Sequence, residues 1–436
     1  MQPPETDLRL LLLTSSYWPE HSPPQRRWMS LIRNMRDQGW AVSVVAPVAH
    51  YGPGPDYNSE TKGRAWRAQP GFLGEKIYRV PHLFLGDNRI CKLANQLVGA
   101  AGSVVRGIVT GRQDAVVVTA PSLPLMGSAL LVARIKGLPL IVEMRDAWPN
   151  LAHDASLVRG GSKSVINSAV EYVQNRADLV VTVTEGFAQT LRDRGVRHVV
   201  TVRNGILMDS TPQLQAPLAE RDRLEVLYLG NHGESQALDV LIRAAALVGD
   251  DMRLTLVGHG SQKPALRRLA MDLGAKVRFL PPEYREAVFS RYGEADSLVI
   301  SLRDDWKSFE DTIPSKTYEV LAIGRHITGI VCGEAANVLT EAGEGDIVEC
   351  SPESIAELWR ELAADRTRLQ PAGTGREWVK THADYSDLSC QYSGLLRETI
   401  LEHRAQPQPS LVQRMARVGR GAVRVARQLR QSRSLA

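Results

Sequence analysis

Short apolar runs alternate with helical patterns along almost the whole chain. The apolar runs are rich in β-branched residues, and they are Leu8–Leu13, Ala41–Val45, Ala115–Val118, Leu140–Val142, Leu179–Val183, Val199–Val202, Leu224–Leu229, Leu254–Val257, Val277–Leu280, Leu298–Ser301 and His326–Ile330. Near-continuous apolar strands separated by helices are typical of parallel sheets that are covered by helices on both faces. The sequence therefore predicts an α/β protein with doubly wound, Rossmann-like sheets.

The number of elements in 436 residues is too large for one sheet. A stretch rich in Pro, Gln, Ala and charge, residues 209–223, interrupts the pattern near its middle. It predicts a hinge between a first Rossmann-like domain, residues 1–208, and a second, residues 224–375. We expect the two domains to face each other across a cleft.

Composition excludes several other classes of protein. With 43% hydrophobic and 23% charged residues, the chain resembles an ordinary globular protein. Its four cysteines lie far apart, with neither zinc-type spacing nor a disulfide framework, which favours a reducing cytoplasm. The richest apolar stretch, residues 123–142, is interrupted by Pro124, Arg134, Lys136 and Pro139, so an integral membrane segment is not expected.

Polar residues gather in the loops that follow the predicted strands. In doubly wound sheets, ligands bind beyond the carboxyl ends of the strands. The loops that carry candidate residues are Thr14–Glu20, Glu143–Pro149, Gly230–Gly233, Gly258–Gly260, Pro281–Glu283 and Phe309–Gly324.

The last of these loops runs into a short predicted helix. Ser315 is a suitable N-cap and Gly324 a suitable left-handed stop, while Lys316 and Glu319 share one helix face. A lysine in the first helical turn is unfavourable beside the positive end of the helix dipole unless an anion is also present. A phosphate group would satisfy Lys316 and the nearby backbone amides, and Glu319 could bind a sugar hydroxyl. The alternative is a surface helix with one ion pair.

With these loops in view, residues 8–400 resemble the retaining nucleotide-sugar glycosyltransferases of the GT-B fold, family four. The likeness is carried by Tyr17-Trp18-Pro19-Glu20, Glu143-Met144-Arg145-Asp146-Ala147-Trp148-Pro149, Asn204-Gly205, Gly230-Asn231-His232-Gly233, and Pro314-Ser315-Lys316 with Glu319. It is strongest to the branch that builds bacterial surface polysaccharides on lipid carriers. The resemblance implies a UDP-linked nucleotide diphosphate-sugar donor, bound mainly by the second domain, and a glycan or lipid-linked acceptor bound by the first.

The resemblance also implies roles for individual residues. The predicted catalytic residues are Asp146, Arg145, Lys316 and Glu319. The predicted donor-binding residues are Gly230, Asn231, His232, Gly233, Gly258, Gly260, Pro281, Thr312, Ile313, Pro314, Ser315, Lys316 and Glu319. The predicted acceptor-binding residues are Tyr17, Trp18, Glu20, Arg27 and Trp148. Thr312 stands where the family usually has a glutamate, and Asn231 and Gln236 stand where it usually has Arg and Lys.

Structural alternatives remain open for several of these residues. Asp146 and Arg145 could form an ion pair with each other instead of serving catalysis. His232 could tighten its loop, and Gly258 and Gly260 could mark a tight strand-to-helix turn. Arg26 and Arg27 could be a solvated first turn, and core packing could account for Trp18 or Trp148.

No DxD-like pair is followed by an open site, so we expect catalysis without a metal ion and without a cofactor. Protein cations would then stabilise the leaving diphosphate, and a front-face transfer is preferred because no carboxylate is placed for double displacement. The competing hypotheses are a nucleotide-sugar epimerase, for which the chain lacks a dense set of acid–base residues, and a nucleotide-sugar-binding subunit with decayed catalytic contacts.

The C-terminal region carries two further predictions. The resemblance implies that residues 376–405 return to the first domain. Residues 406–436 are predicted to form a basic amphipathic tail, since their last 27 residues contain seven arginines and no acidic residue. Such a helix suits an anionic membrane surface, and it predicts a cytoplasmic enzyme peripherally attached to the inner face of the cell membrane. A disordered basic extension is the alternative; a nucleic-acid partner has no other support in the chain.

Overall fold

The computed structural model describes residues 8–20, 22–50, 65–85, 88–120, 122–145, 161–218, 221–283, 286–410, 412–414 and 416. Its strands are β1 Arg9–Leu13, β2 Ala41–Pro47, β3 Ala68–Pro70, β4 Lys76–Val80, β5 Ala115–Thr119, β6 Leu140–Met144, β7 Leu179–Thr182, β8 Val199–Thr201, β9 Leu224–Leu229, β10 Met252–Val257, β11 Val277–Leu280, β12 Ser297–Ser301, β13 His326–Ile330 and β14 Asp346–Ile347. Its α-helices are α1 Pro23–Asp37, α2 Arg89–Val109, α3 Leu123–Lys136, α4 Gly161–Gln174, α5 Glu185–Asp193, α6 Leu238–Val248, α7 Lys263–Asp272, α8 Glu286–Glu294, α9 Lys316–Ile323, α10 Gly333–Ala342, α11 Pro352–Ala364, α12 Thr374–His382 and α13 Tyr385–Ala405.

The described residues divide into two compact units. One unit contains the residues up to Arg203 and again those from Tyr385 onward, and the other is Asn204–Asp384. Each unit has its own sheet. The chain thus leaves the first unit, completes the second, and returns to the first with α13.

The first unit holds an eight-stranded sheet in the order β3-β4-β2-β1-β5-β6-β7-β8. All neighbouring strands are parallel except β3, which runs antiparallel to β4. The strand order reverses at β1 and β5, and both strands lie in a core in which Leu11, Leu13, Val116 and Val118 are fully buried. The carboxyl ends of these strands are therefore the place where this unit should bind a ligand.

The second unit holds a six-stranded parallel sheet in the order β11-β10-β9-β12-β13-β14. Separate apolar clusters cover it: Leu298, Ile300 and Leu321 belong to one, while Leu254 and Trp359 belong to the other. Burial of both faces explains why these strands read as near-continuous apolar runs. The predicted α/β class with two doubly wound parallel sheets is confirmed.

Three strands escaped the sequence analysis, and each has a physical reason. β3 and β14 are only three and two residues long, and the apolar character of β4 is interrupted by Lys76 and Arg79. β3 and β14 are edge strands, so neither needs the continuous apolar character that marked the inner strands.

The boundaries of the units differ from the predicted domain limits. Residues 204–208 belong to the second unit, because the amide of Ile206 donates to the carbonyl of Ala383 at 2.9 Å. The predicted hinge, residues 209–223, also belongs to it, since the Leu214 amide donates to the Ile323 carbonyl at 2.9 Å. Residues 376–384 stay there as well, with Trp378 packed in its core.

Helix α13, by contrast, packs within the first unit. The Trp40 indole Nε1 donates to Ser393 Oγ at 2.7 Å, and the Asn34 amide Nδ2 donates to the Tyr385 carbonyl at 3.0 Å. The rings of Trp28 and Tyr392 meet edge to face, with centroids 5.6 Å apart. The predicted return to the first domain thus applies to Tyr385–Ala405 and not to the residues before it.

Among the described residues, no helix combines the length and the apolar character needed to span a bilayer. Residues 417–436, the larger part of the predicted basic tail, lie outside the described residues.

Candidate active site

A cation, a carboxylate and a tyrosine meet at the start of α9. Lys316 Nζ lies 2.8 Å from Glu319 Oε1 and donates to Tyr292 Oη at 3.0 Å. Tyr292, which comes from α8, donates in turn to Glu319 Oε1 at 2.7 Å. We call these three residues the Lys316 cluster. Lys316 and Glu319 are 23% and 20% exposed, so the charged groups are sheltered but open to solvent.

The position of the Lys316 cluster follows from the topology of the sheet. β12 ends at Ser301, and the chain then crosses a loop before α9 begins at Lys316. The start of α9 therefore lies toward the carboxyl ends of the parallel strands, where doubly wound sheets bind ligands. The sequence predicted the lysine and the glutamate but missed Tyr292, because nothing in the local sequence links residues on separate helices.

The helix begins differently from the prediction. Ser315 has helical backbone angles (φ −59°, ψ −23°), and its side chain makes no capping hydrogen bond. The amide of Thr317 donates instead to the carbonyl of Pro314 at 2.9 Å. Ser315 is exposed. The predicted stop at Gly324 is confirmed, since Gly324 lies in the left-handed region at φ 70°.

The ion pair between Lys316 and Glu319 also weakens the prediction of a bound anion, which was based on the helix dipole. The lysine in the first turn has a carboxylate partner within its own helix, so an external anion is not needed to explain why Lys316 is there. Thr312, at the position of the family's glutamate, donates its hydroxyl to the Ser308 carbonyl at 2.8 Å. Ile313 is buried and Pro314 is half-buried, so both of these predicted donor residues shape the loop.

The two glycine loops of the second unit interlock. The amide of His232 donates to the His259 carbonyl at 2.8 Å, and the Gln262 amide donates to the His232 carbonyl at 2.9 Å. A Cβ on Gly258 would lie 1.9 Å from the Gly230 carbonyl oxygen, and one on Gly260 would lie 2.3 Å from the His232 oxygen. Only glycine permits this approach of backbone to backbone. The tight-turn alternative therefore describes Gly258 and Gly260.

The backbone amides of Gly230 and Gly233 are engaged within the protein. Gly230 N donates to the Val257 carbonyl at 3.0 Å, and Gly233 N donates to Gln236 Oε1 at 3.1 Å. The exposed Asn231 side chain reaches the same Gln236 oxygen at 3.4 Å. Donor binding by this loop stays a prediction that depends on its position at the strand ends.

His232 is a buried residue and not an exposed ligand. Its side chain is fully shielded from solvent. Burial, with a further contribution from the nearby Lys263 cation, lowers the pKa of His232 from 6.5 to about 4. The imidazole is therefore neutral at physiological pH, and the loop-tightening alternative describes its place in the structure.

Lys263, which was not predicted from the sequence, connects the ends of two strands in the second unit. Its Nζ donates to the Gly258 carbonyl at 2.5 Å and to the Leu280 carbonyl at 2.6 Å. It thereby ties the loop after β10 to the end of β11, next to the exposed Pro281. Its place at the first position of α7 was a usable signal, because a lysine there can reach the carbonyls that end the strands.

The predicted acceptor residues of the first unit are mostly buried. Tyr17 donates its hydroxyl to Glu75 Oε1 at 2.9 Å, and neither side chain reaches the surface. Glu20 accepts hydrogen bonds from Ser16 Oγ at 2.5 Å and from the His50 amide at 2.6 Å. Tyr17 and Glu20 therefore hold the loop after β1 in place. Their predicted contact with an acceptor is not supported by this geometry.

Arg27 also has a structural place. It fits neither the predicted contact with an acceptor nor the alternative of a solvated first turn. Its Nε lies 3.3 Å from Glu143 Oε1, with both side chains buried. Its other nitrogens donate to the carbonyls of Arg203, at 2.6 Å, and Val202, at 2.9 Å. A buried carboxylate needs a cation close by, so Arg27 is drawn into the interior and away from the solvated first turn.

The remaining acceptor-side predictions divide into two groups. Trp18 is half-buried, and its carbonyl accepts a hydrogen bond from Arg79. Arg145 is half-buried at the end of β6. Asp146 and Trp148 lie outside the described residues. Among the residues that are described, no group of three or more His, Cys, Asp or Glu is arranged to hold a metal ion.

Comparison with known proteins agrees with the geometry of both units. Residues 24–205 match the family described as Glycosyl transferase 4-like domain. Over 380 residues, the chain is 22% identical to an Escherichia coli protein described as a colanic acid biosynthesis glycosyl transferase, WcaI, covering 80% of this chain and 90% of that protein.

Solved structures show the same fold. Sucrose-phosphate synthase from Thermosynechococcus elongatus is similar with a TM-score of 0.70 and 15% identity, over 91% of this chain and all (100%) of that one. Anabaena HepE in complex with UDP and glucose gives a TM-score of 0.66 and 14% identity, over 90% and 100%. The chain is a glycosyltransferase with the GT-B fold, and the resemblance to family four is confirmed.

Proposed function

We propose that this glycosyltransferase moves a sugar from a UDP-linked nucleotide diphosphate-sugar to a lipid-linked or surface-glycan acceptor, retaining the anomeric configuration and using no metal ion. The observation that carries the proposal is the Lys316 cluster at the carboxyl ends of the second sheet. Support for the donor and acceptor classes comes from similar proteins: HepE was solved with UDP and glucose, and WcaI is described as acting in colanic acid biosynthesis.

The chemistry of the Lys316 cluster suits a departing diphosphate. When the bond between the anomeric carbon and the phosphate oxygen breaks, negative charge develops on the diphosphate. A fixed cation at a helix N-terminus stabilises that charge. In the proposed reaction Lys316 serves this purpose, and Glu319 accepts a hydrogen bond from a donor hydroxyl. The acceptor oxygen bonds to the anomeric carbon on the same face, and its proton passes to the leaving phosphate oxygen.

The acceptor half of the proposal depends on the first unit. Arg145 follows the last residue of β6, and the predicted Asp146 and Trp148 come after it in the sequence. Arg145 is proposed to add positive charge near the leaving group, and Asp146 to orient the acceptor hydroxyl. The basic tail, residues 406–436, is proposed to hold the protein at an anionic membrane that carries the acceptor. Vesicle co-sedimentation of the full chain and of a chain lacking the residues after Gln406 tests this part.

Incubation with a panel of nucleotide sugars, followed by mass spectrometry, tests the proposed reaction. We expect release of UDP from one donor, with and without chelator, and its loss in Lys316→Ala. An isomeric donor would indicate epimerisation, and intact donor with measurable binding would indicate a binding subunit; either result overturns the proposal. The anomeric coupling of the product, measured by NMR, tests retention.

A further inference from the structure

Helix α2 has an unusual distribution of side chains. The face that packs on the first unit is made of small and polar residues: Asn95, Gly99, Gly102, Ser103 and Gly107 are buried. A Cβ on Gly102 would lie 2.9 Å from Val80 Cβ, and one on Gly107 would lie 2.9 Å from a Val132 methyl. The inner face thus lacks large apolar residues because the helix lies close against its neighbours.

The large apolar residues of α2 point outward. Ile90 is 80% exposed, and Leu93, Leu97 and Val105 are each 52% exposed. At about 100° per residue, these four and the exposed Ile108 fall on one stripe along the helix. A globular helix normally buries its apolar face. A continuous exposed apolar stripe instead marks an interaction surface.

Exposed cationic and aromatic residues lie near the two ends of α2. Arg89–Val109 contains no acidic residue. Lys92 is exposed near the start of the helix, and Arg112, just beyond its end, is 74% exposed. Exposed Phe84 precedes the helix, and exposed Trp66 lies beside it, with its carbonyl accepting a hydrogen bond from Arg106.

We infer that α2, together with Leu83–Leu85, is a membrane-docking surface that lies in the interface of an anionic bilayer. An interfacial helix combines an apolar face with Lys and Arg, and aromatic rings are favoured at the level of the headgroups. A second copy of the chain fits less well. A twofold interface would bring cations of one copy near cations of the other, and α2 has no acidic residue to offset them.

The topology places this surface where a lipid-carried acceptor would be used. β4 ends at Val80, and residues 81–85 leave the carboxyl end of that strand before α2 begins. The surface therefore starts at the edge of the sheet where the acceptor is expected. The inference says how the protein would reach a lipid-linked acceptor, and in this it rests on the proposed function. Its test measures lipid binding without sugar transfer, so the two can fail separately.

The test uses the full chain and sedimentation with vesicles of phosphatidylcholine containing a minor fraction of phosphatidylglycerol. The double variant L93E/L97E should bind these vesicles at least about tenfold more weakly than the wild type, because two exposed leucines lose their apolar contact. Met271→Glu is the matched control, since Met271 is an exposed apolar residue on α7 of the second unit, and its binding should not change. Because the basic tail is itself proposed to bind the membrane, each protein is also measured without the residues after Gln406. Binding of L93E/L97E equal to that of the wild type in this shortened form overturns the proposal.

A second variant keeps the test independent of any folding defect. K92E/R112E leaves the apolar stripe intact and should weaken binding to the anionic vesicles by about fivefold for each charge removed. Retained affinity in this variant contradicts the anionic bilayer. Sedimentation velocity without lipid tests whether the stripe binds a second copy of the chain instead. If the wild type is a dimer that L93E/L97E converts to a monomer, and vesicle binding is unchanged, the stripe binds a second copy and the proposal is overturned.

Discussion

The loops at the carboxyl ends of the two sheets look alike in sequence but differ in structure. In the second unit, Lys316 and Glu319 meet Tyr292 in a sheltered cluster that stays open to solvent. In the first unit, Tyr17 and Glu20 are buried, and their polar atoms are bonded to neighbouring residues. Polar and charged residues that follow the strands therefore serve different purposes in the two units.

The difference shows that burial decides how a polar residue at a strand end is to be interpreted. A buried charge must be paired and hydrogen-bonded within the protein, so its contacts stabilise the fold. A partly exposed pair contributes little to stability and keeps its charge accessible to a ligand. Substitution should therefore unfold the first region and inactivate the second.

The largest effect is expected for the buried ion pair. Arg27→Met leaves Glu143 buried without its cation, so the free energy of unfolding should fall by about 3–5 kcal/mol, as measured by urea denaturation. The neighbouring Arg26 is exposed, and Arg26→Met should stay within about 0.5 kcal/mol of the wild type. Equal stability of the two variants would show that the ion pair does not hold the first unit together.

The next effect is expected on transfer. Lys316→Ala and Glu319→Ala should each reduce turnover by about 1.5–3 kcal/mol of transition-state stabilisation or more, because a charge-assisted contact is lost. Their unfolding free energies should change much less. Lys276→Ala, which breaks an exposed pair with Asp250, is the control for removing a surface lysine. Turnover near that of the wild type in either site variant would refute the assignment.

The third effect concerns pH and the buried His232. Its native pKa, about 4, is below the ordinary 6.5 because of burial, so the unfolded chain binds the proton more readily. This residue's contribution to stability is complete above pH 6.5 and falls as the pH drops from 6.5 to 4, by at most about 1.4 kcal/mol per pH unit.

Replacing His232 by Gln should flatten the pH dependence of unfolding in that range, measured by denaturation at several pH values. His259→Gln, at an exposed position of the loop after β10, is the control for replacing a histidine by glutamine. A wild-type slope that persists in His232→Gln would mean that this imidazole is protonated in the native protein.

The smallest effect is expected for the backbone at Ala237, which lies between β9 and α6. Ala237 has φ 45° and ψ 40°, in the left-handed region, which costs free energy for any residue with a Cβ. Ala237→Gly should therefore raise the unfolding free energy by about 0.5–1 kcal/mol. Ala336→Gly within α10 should lower it by about 1 kcal/mol. A loss of stability in both variants would contradict the strain at Ala237.

How far the sequence predicted the protein depended on the distance between interacting residues. Inner strands and the stop at Gly324 depend on local pattern, and both were found. The partnership of Arg27 with Glu143 joins residues far apart in the chain, so a local motif favoured a surface interpretation. Tyr292 was missed for the same reason. Lys316 and Glu319 were predicted together because they are neighbours on one helix turn.

The return of α13 to the first unit has a consequence for synthesis on the ribosome. Asn34 and Trp40 have partners in α13, at Tyr385 and Ser393, and those partners are translated only after the whole second unit. The first unit emerges first but remains incomplete until the chain is almost finished. A nascent chain that stalls before Tyr385 would expose apolar surface on α1, which makes the early half of the protein the part most in need of a chaperone.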